Sequence, residues 1–207
     1  MKNAAIIFLW VIHFSALIGI ALGYETFFLG KSPFTMLYIT ALLAVFFPIM
    51  DLKTLGLFTI CFVTGMTAEW IGVHTGWLFG EYSYGDNFGP KLDGIPFLIG
   101  VNWAVLTFVT HAIASKQTSN PWAISVIGAS LMVILDFFLE QICDYAGFWS
   151  FTGGAGWYNY LCWFIIAFIL HYIATHYKLK GDFKTSLHIY IVQLIFASIL
   201  WIIISTI

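Results

Sequence analysis

Seven stretches of this chain, near residues 4–23, 33–50, 55–74, 97–115, 121–143, 157–177 and 187–207, are long and apolar enough to cross a hydrocarbon layer about 30 Å thick. Inside such a layer the backbone has no water to bond to, so each crossing must satisfy its own N–H and C=O groups, as a helix does. The expected fold is therefore all-α: one polytopic domain over residues 1–207, a bundle of about seven transmembrane helices in the cell membrane. Composition agrees, since 61% of residues are hydrophobic and 9% charged, too greasy for a soluble core of this length to hide. The first run follows Lys2, but it exceeds the roughly 7–15 residues of a secretory signal core and reads as a helix.

Charge sets an orientation and removes one class of partner. With seven spans, Lys2, Lys53, Lys116, Lys178, Lys180 and Lys184 fall on one side, and Lys31 and Lys91 on the other. That asymmetry predicts a cytoplasmic amino terminus. There is no arginine and the net charge is −2, so no basic face exists to hold a nucleic-acid backbone. Cys61, Cys143 and Cys162 lie in or at the end of apolar stretches and read as small buried side chains. The six histidines are scattered in depth and facing, which argues against a metal site.

Against this background a few polar residues stand out. Asp136, Glu140 and Asp144 follow one another at four-residue steps, which on a continuous helix puts them on one face. A carboxylate facing lipid at mid-bilayer costs about 2.5–3.5 kcal/mol even on the lenient insertion scale, so that face should look into the bundle. Glu69, Asn102 and Asn159 reach a similar depth from three other spans, near the outer leaflet under the lysine-based topology. Burial and mutual repulsion predict that one of Asp136 and Glu140 keeps its proton and could donate it. The same acids could instead be structural, hydrogen-bonding across helices.

Tyr82, Tyr84, Trp103, Trp149 and Trp163 fall in the same layer, either as part of an interfacial aromatic belt or as the walls of a pocket. The connections 75–96 and 144–156 are long and rich in glycine and aromatics, as loops that build sites often are. A faint internal echo links "EWIGVHTGWLFGEYSY" from Glu69 with "EQICDYAGFWSF" from Glu140, aligning Gly76 with Gly147. Each copy precedes a helix with an Asn and a Trp near its start: Asn102 and Trp103 in one, Asn159 and Trp163 in the other.

The pattern Glu69-x2-Gly72-x3-Gly76-x2-Phe79-Gly80-x-Tyr82-x-Tyr84, followed by Gly94-x-Pro96, Trp103, Asp136-x3-Glu140, Trp149 and Asn159-x3-Trp163, resembles the carotenoid-biosynthesis membrane family. That family includes the carotenoid 1,2-hydratases of the bisanhydrobacterioruberin hydratase type. The chain departs from the family pattern at Gly156-Trp157-Tyr158, where a Gly-Val-Pro-like turn is usual, and at Trp149-Ser-Phe151, where Trp-x-Trp is common.

The resemblance implies a cofactor-independent hydratase that protonates the terminal isopropylidene double bond of an acyclic carotenoid and captures the cation with water. On that basis Asp136, Glu140, Glu69 and Asn159 are the expected catalytic residues, with no metal. Tyr82, Tyr84, Trp103, Asn102, Trp149, Trp163 and Asp144 are expected to bind substrate. A lycopene-type cyclase would begin with the same protonation, and a non-catalytic carotenoid-binding protein would use the aromatic groove alone. A prenyltransferase would want arginines and lysines near the acids, and a retinal protein would want a lysine inside a helix; neither is present.

Overall fold

The computed structural model describes residues 1–206 and contains the seven membrane-length helices expected from the apolar runs. They are α1 (Lys2–Ala21), the pair α2 (Glu25–Leu29) and α3 (Ser32–Phe46) that together make the second span, α4 (Leu52–Thr75), α5 (Phe97–Gln117), α6 (Pro121–Glu140), α7 (Trp157–His176) and α8 (Phe183–Ser205). Local chemistry sets several starts. The Asp51, Asn120 and Asp182 side chains accept from free backbone N–H groups at the heads of α4, α6 and α8, and Pro121 occupies the first turn of α6. Lys2 also donates to Asp182, tying the start of α1 to that of α8. Burial works against the Asp182 carboxylate, but the bonds from Lys2 and Thr185 outweigh it and hold the group below its usual range.

The helices do not share the interior equally. Of the 18-residue apolar window in α5, 89% is buried, against 28–39% for the other spans, so α5 is the central post and the rest surround it. The outer helices keep apolar faces outward, for example Ile7, Val11, Phe14 and Ile18 on α1 at helical spacing. In a bilayer that surface meets acyl chains and needs no partner.

The two long connections cap one end of the bundle together. Strand β1 (Tyr82–Tyr84) pairs antiparallel with β4 (Trp149–Phe151), in the register Tyr82 with Phe151, Ser83 with Ser150 and Tyr84 with Trp149. A shorter hairpin, β2 (Lys91–Leu92) with β3 (Ile95–Pro96), leads into α5. The pairing fixes both connections above the same point of the bundle.

Those elements pair as a local two-fold axis would pair them. Trp103 on α5 stacks on Trp163 on α7, ring centroids 3.9 Å apart and 11° from parallel. Eight residues further along each helix, His111 stacks on His171 at 5.7 Å and 9°. Gly76 and Gly147, each seven residues beyond Glu69 and Glu140, both turn the chain at left-handed φ of 68° and 64°. The faint sequence echo thus has a geometric counterpart. It also corrects the alignment of the helices: the stacked rings set Asn159 opposite Ile99, one turn from Asn102.

One expected stripe is broken. Helix α6 ends at Glu140 and the chain continues through turns, so Asp144 leaves the face shared by Asp136 and Glu140 and lies exposed. Four-residue spacing places side chains on one face only while the helix lasts.

Candidate active site

Beneath the β1–β4 cap, three helices bring polar side chains to one buried chamber. Glu69 from α4, Asp136 from α6 and Asn159 from α7 are 2%, 1% and 1% exposed. Glu140, at the end of α6, is partly buried beside them. No lysine, arginine or histidine is ion-paired with any of these carboxyls among the described residues.

Glu69 is held by three donors. Tyr82 and Tyr84 hydroxyls reach Oε2 at 2.5 and 2.7 Å, and the Trp103 indole N–H reaches Oε1 at 2.9 Å. Burial, and then the neighbouring Glu69, push both tyrosine hydroxyls well above their ordinary range, so they remain donors. Gly65 makes the Trp103 contact possible: a Cβ there would sit 2.5 Å from the indole ring.

Asp136 and Glu140 share one amide. Asn159 Nδ2 donates to Asp136 Oδ2 at 3.1 Å and to Glu140 Oε1 at 3.3 Å, so both acids lie within reach of a single nitrogen. Glu140 Oε2 also accepts from the Trp149 indole at 3.0 Å. Cys143 adds its thiol at 3.5 Å, and burial, with Glu140 beside it, pushes that thiol up and keeps it protonated. Two buried acceptors have no protein partner: Asp136 Oδ1 and Asn159 Oδ1. Buried polar atoms are nearly always satisfied, so an unpartnered pair in one chamber calls for a bridging donor.

The space there is small. It offers about 10 Å³ to a water-sized sphere, the room one water molecule takes. A water between Asp136 and Asn159 would donate to both acceptors and keep its lone pairs free. Rings close the remaining sides: Phe79, Tyr82, Tyr84, Phe151 and Trp163 line the chamber, and Trp149 forms its wall. Phe79 holds a left-handed φ of 66°, which costs a non-glycine residue roughly 1–2 kcal/mol and persists because its ring packs against Tyr82, Trp103 and Trp163.

Of the residues singled out in the sequence, Glu69, Asp136, Glu140, Asn159, Tyr82, Tyr84, Trp149 and Trp163 line this chamber. Trp103 braces it through Glu69 and Trp163. Asn102 is buried but lines a separate cavity, and Asp144 is exposed outside both. Phe79, part of the quoted motif, lines the chamber as well, whereas Ile99 and Phe151 were not anticipated. The Phe79-Gly80 step inside the first repeat was the available signal for Phe79, whereas Phe151 follows only from the cross-strand pairing.

Fold and site together define a seven-span membrane helix bundle with an acid-lined, aromatic-walled chamber at one end. The chain belongs to the family described as carotenoid biosynthesis protein, whose sequence model matches residues 30–207. It is similar to the bisanhydrobacterioruberin hydratase of Haloarcula japonica, 28% identical over 134 residues, a match covering 60% of this chain and 45% of that protein. The matched part is thus less than half the length of that relative. No solved structure matches the chain.

Proposed function

We propose that this protein is a cofactor-independent hydratase that adds water to the terminal isopropylidene double bond of an acyclic carotenoid. The observation that carries the proposal is a water-sized, carboxyl-lined chamber that shares a wall, Trp149, with a larger apolar cavity. The polar space suits water and the apolar one suits an isoprenoid end. The relative's printed name, a hydratase of a carotenoid, points the same way.

In this reading Glu140, which accepts from the Trp149 indole that the two spaces share, gives its proton to the CH carbon of the alkene, and a tertiary cation forms on the dimethyl carbon. The indoles and phenols around it, with the Glu69 carboxyl behind them, stabilise the positive charge. Water held by Asp136 Oδ1 and Asn159 Oδ1 attacks that carbon, and Asp136 takes the proton the water releases. One alkene and one water give one tertiary alcohol. Proton transfer between Asp136 and Glu140, both bonded to Asn159, restores the starting state.

The water site also favours hydration over cyclisation. A cyclase must keep water from the cation, whereas the two unpaired acceptors here would hold a water next to it. The test is expression in a host that makes lycopene or longer acyclic carotenoids, with mass analysis of the pigments. A gain of one water, carrying ¹⁸O when labelled water is supplied, is expected. An isomeric product without mass gain would mean cyclisation, and unchanged pigments would overturn both.

A further inference from the structure

The second cavity lies between the core helices and three peripheral ones. Its room for water-sized spheres is about 100 Å³, against about 10 Å³ in the acid chamber, and it is lined from α1 by His13 and Ala16, from α3 by Thr35 and Ile39, and from α8 by Phe196. At its core end stand Asn102, Leu139 and Trp149; Leu139 precedes Glu140 in the chain and the Trp149 indole donates to it. None of these α1, α3 or α8 residues has a part in the chemistry above.

We infer that this cavity holds the isoprenoid chain behind the reacting end, and that α1 and α3 decide what length of chain fits. The inference rests on the proposed hydration, and three observations support it. The acid chamber has room for about one water, so the bulk of a long substrate must lie elsewhere. The large cavity is predominantly apolar and shares with the chamber the wall residue Trp149, whose indole donates to Glu140, so a chain lying in it can bring its end up to that wall. Finally, its far walls are peripheral helices with lipid-type outer faces, so a chain too hydrophobic for water can reach it from the bilayer.

Three of the polar side chains in the cavity are bonded within their own part of the chain, while Thr35 and Asn102 face it uncharged. His13 Nδ1 bonds the Leu9 carbonyl, Ser32 Oγ donates to the Leu29 carbonyl and Gln193 Nε2 donates to the Ile189 carbonyl. A hydrocarbon can line up against them without stripping them of partners. No lysine, arginine, aspartate or glutamate lines the cavity, so a charged headgroup would have no countercharge there, which favours a polyene chain over a phospholipid as occupant. The α1 wall also precedes residue 30, where the family match begins, so chain-length selection there lies outside the part matched by the family.

The test fills the cavity from two sides, with Ala16→Phe on α1 and Thr35→Phe on α3, in the full chain reconstituted in lipid nanodiscs. Binding of lycopene is read by quenching of tryptophan fluorescence. Turnover is compared between lycopene and a short isoprenoid hydrocarbon carrying the same dimethyl alkene end. Each substitution should weaken lycopene binding tenfold or more and lower the long-to-short turnover ratio by at least as much. Asp136→Asn should bind lycopene as the native chain does.

Unchanged lycopene affinity in both variants that retain the native elution profile would overturn the inference, as would equal loss on long and short substrates. Binding decides this inference and product formation decides the chemistry. A native protein that binds lycopene, loses it on filling the cavity and forms no alcohol would therefore keep the chain site and refute the hydratase.

Discussion

Asp136→Asn is the sharpest perturbation of the site, because it should separate activity from stability. The substitution keeps the shape of the side chain, and its amide oxygen can still accept the Asn159 Nδ2 bond now made at 3.1 Å. What changes is the other position: an acceptor that faces the chamber becomes either an amide donor or, if the group flips, a repelling pair with Asn159. Water then loses both its base and its orientation. A positioned general base contributes about 10²–10⁴ in rate, or roughly 3–5 kcal/mol of barrier, and the loss should fall in that range.

The fold should not suffer with it. Asp136 is 1% exposed, has one hydrogen bond and no ion-pair partner, so the native state gains little from its carboxyl. An amide is cheaper to bury than a carboxylate, and the melting temperature in detergent should be unchanged or a few degrees higher. The assay is alcohol formation by the purified variant, with the melting curve from intrinsic fluorescence on the same sample. Activity within about threefold of native would refute Asp136 as the base. Activity lost together with stability would refute the division of roles and make the residue structural.

Other parts of the structure carry their own tests. Gly65→Ala places a methyl 2.5 Å from the Trp103 ring, which should displace the indole, cost about 1–3 kcal/mol of stability and reduce the coupled-indole signal in circular dichroism that Trp163→Phe abolishes. Cysteines at Ser83 and Ser150, which pair across β1 and β4, should form an intramolecular disulfide on mild oxidation, seen as a link between the two peptides by mass spectrometry. Single cysteines at Asn87 and Lys180, introduced after Cys61, Cys143 and Cys162 are replaced, should react with a membrane-impermeant maleimide from opposite sides. Asn87 should label from outside if the lysine asymmetry sets the topology.

Helices were the most legible part of this fold because hydropathy reports them directly: six of seven runs overlap their observed spans almost throughout. The exception was the second, expected near 33–50 but spanning Glu25–Phe46, because the short α2 precedes Ser32 and the chain leaves the helix before Pro48. The acids were legible for the same reason, since carboxyls are conspicuous in an apolar run. Their partners were not. Tyr82 and Tyr84 reach Glu69 only because β1 folds back over α4, and that strand is held by residues 65–69 positions away. No local periodicity records such a pairing. The same holds for the His111–His171 stack, where Thr110 bonds His171 across helices at 3.0 Å and the two rings meet through tertiary packing alone.

The near-symmetry of the bundle explains why the proposed water site is single. Glu69 and Glu140 occupy equivalent places, and each accepts from an aromatic donor on its own strand, Tyr82 in one half and Trp149 in the other. One turn back along α4 and α6 the halves differ: Gly65 stands where the other half has Asp136. On α5 and α7 they differ again, with Ile99 opposite Asn159, both lining the chamber. So one half supplies a carboxyl, an amide and two unpaired acceptors, while the other supplies a glycine that admits Trp103 and an isoleucine that closes the wall. A symmetric chamber would offer water two positions and the cation two faces. In the proposed reaction the attack would come from one side only, with the stacked indoles of Trp103 and Trp163 between the half that carries the unpaired acceptors and the half that packs.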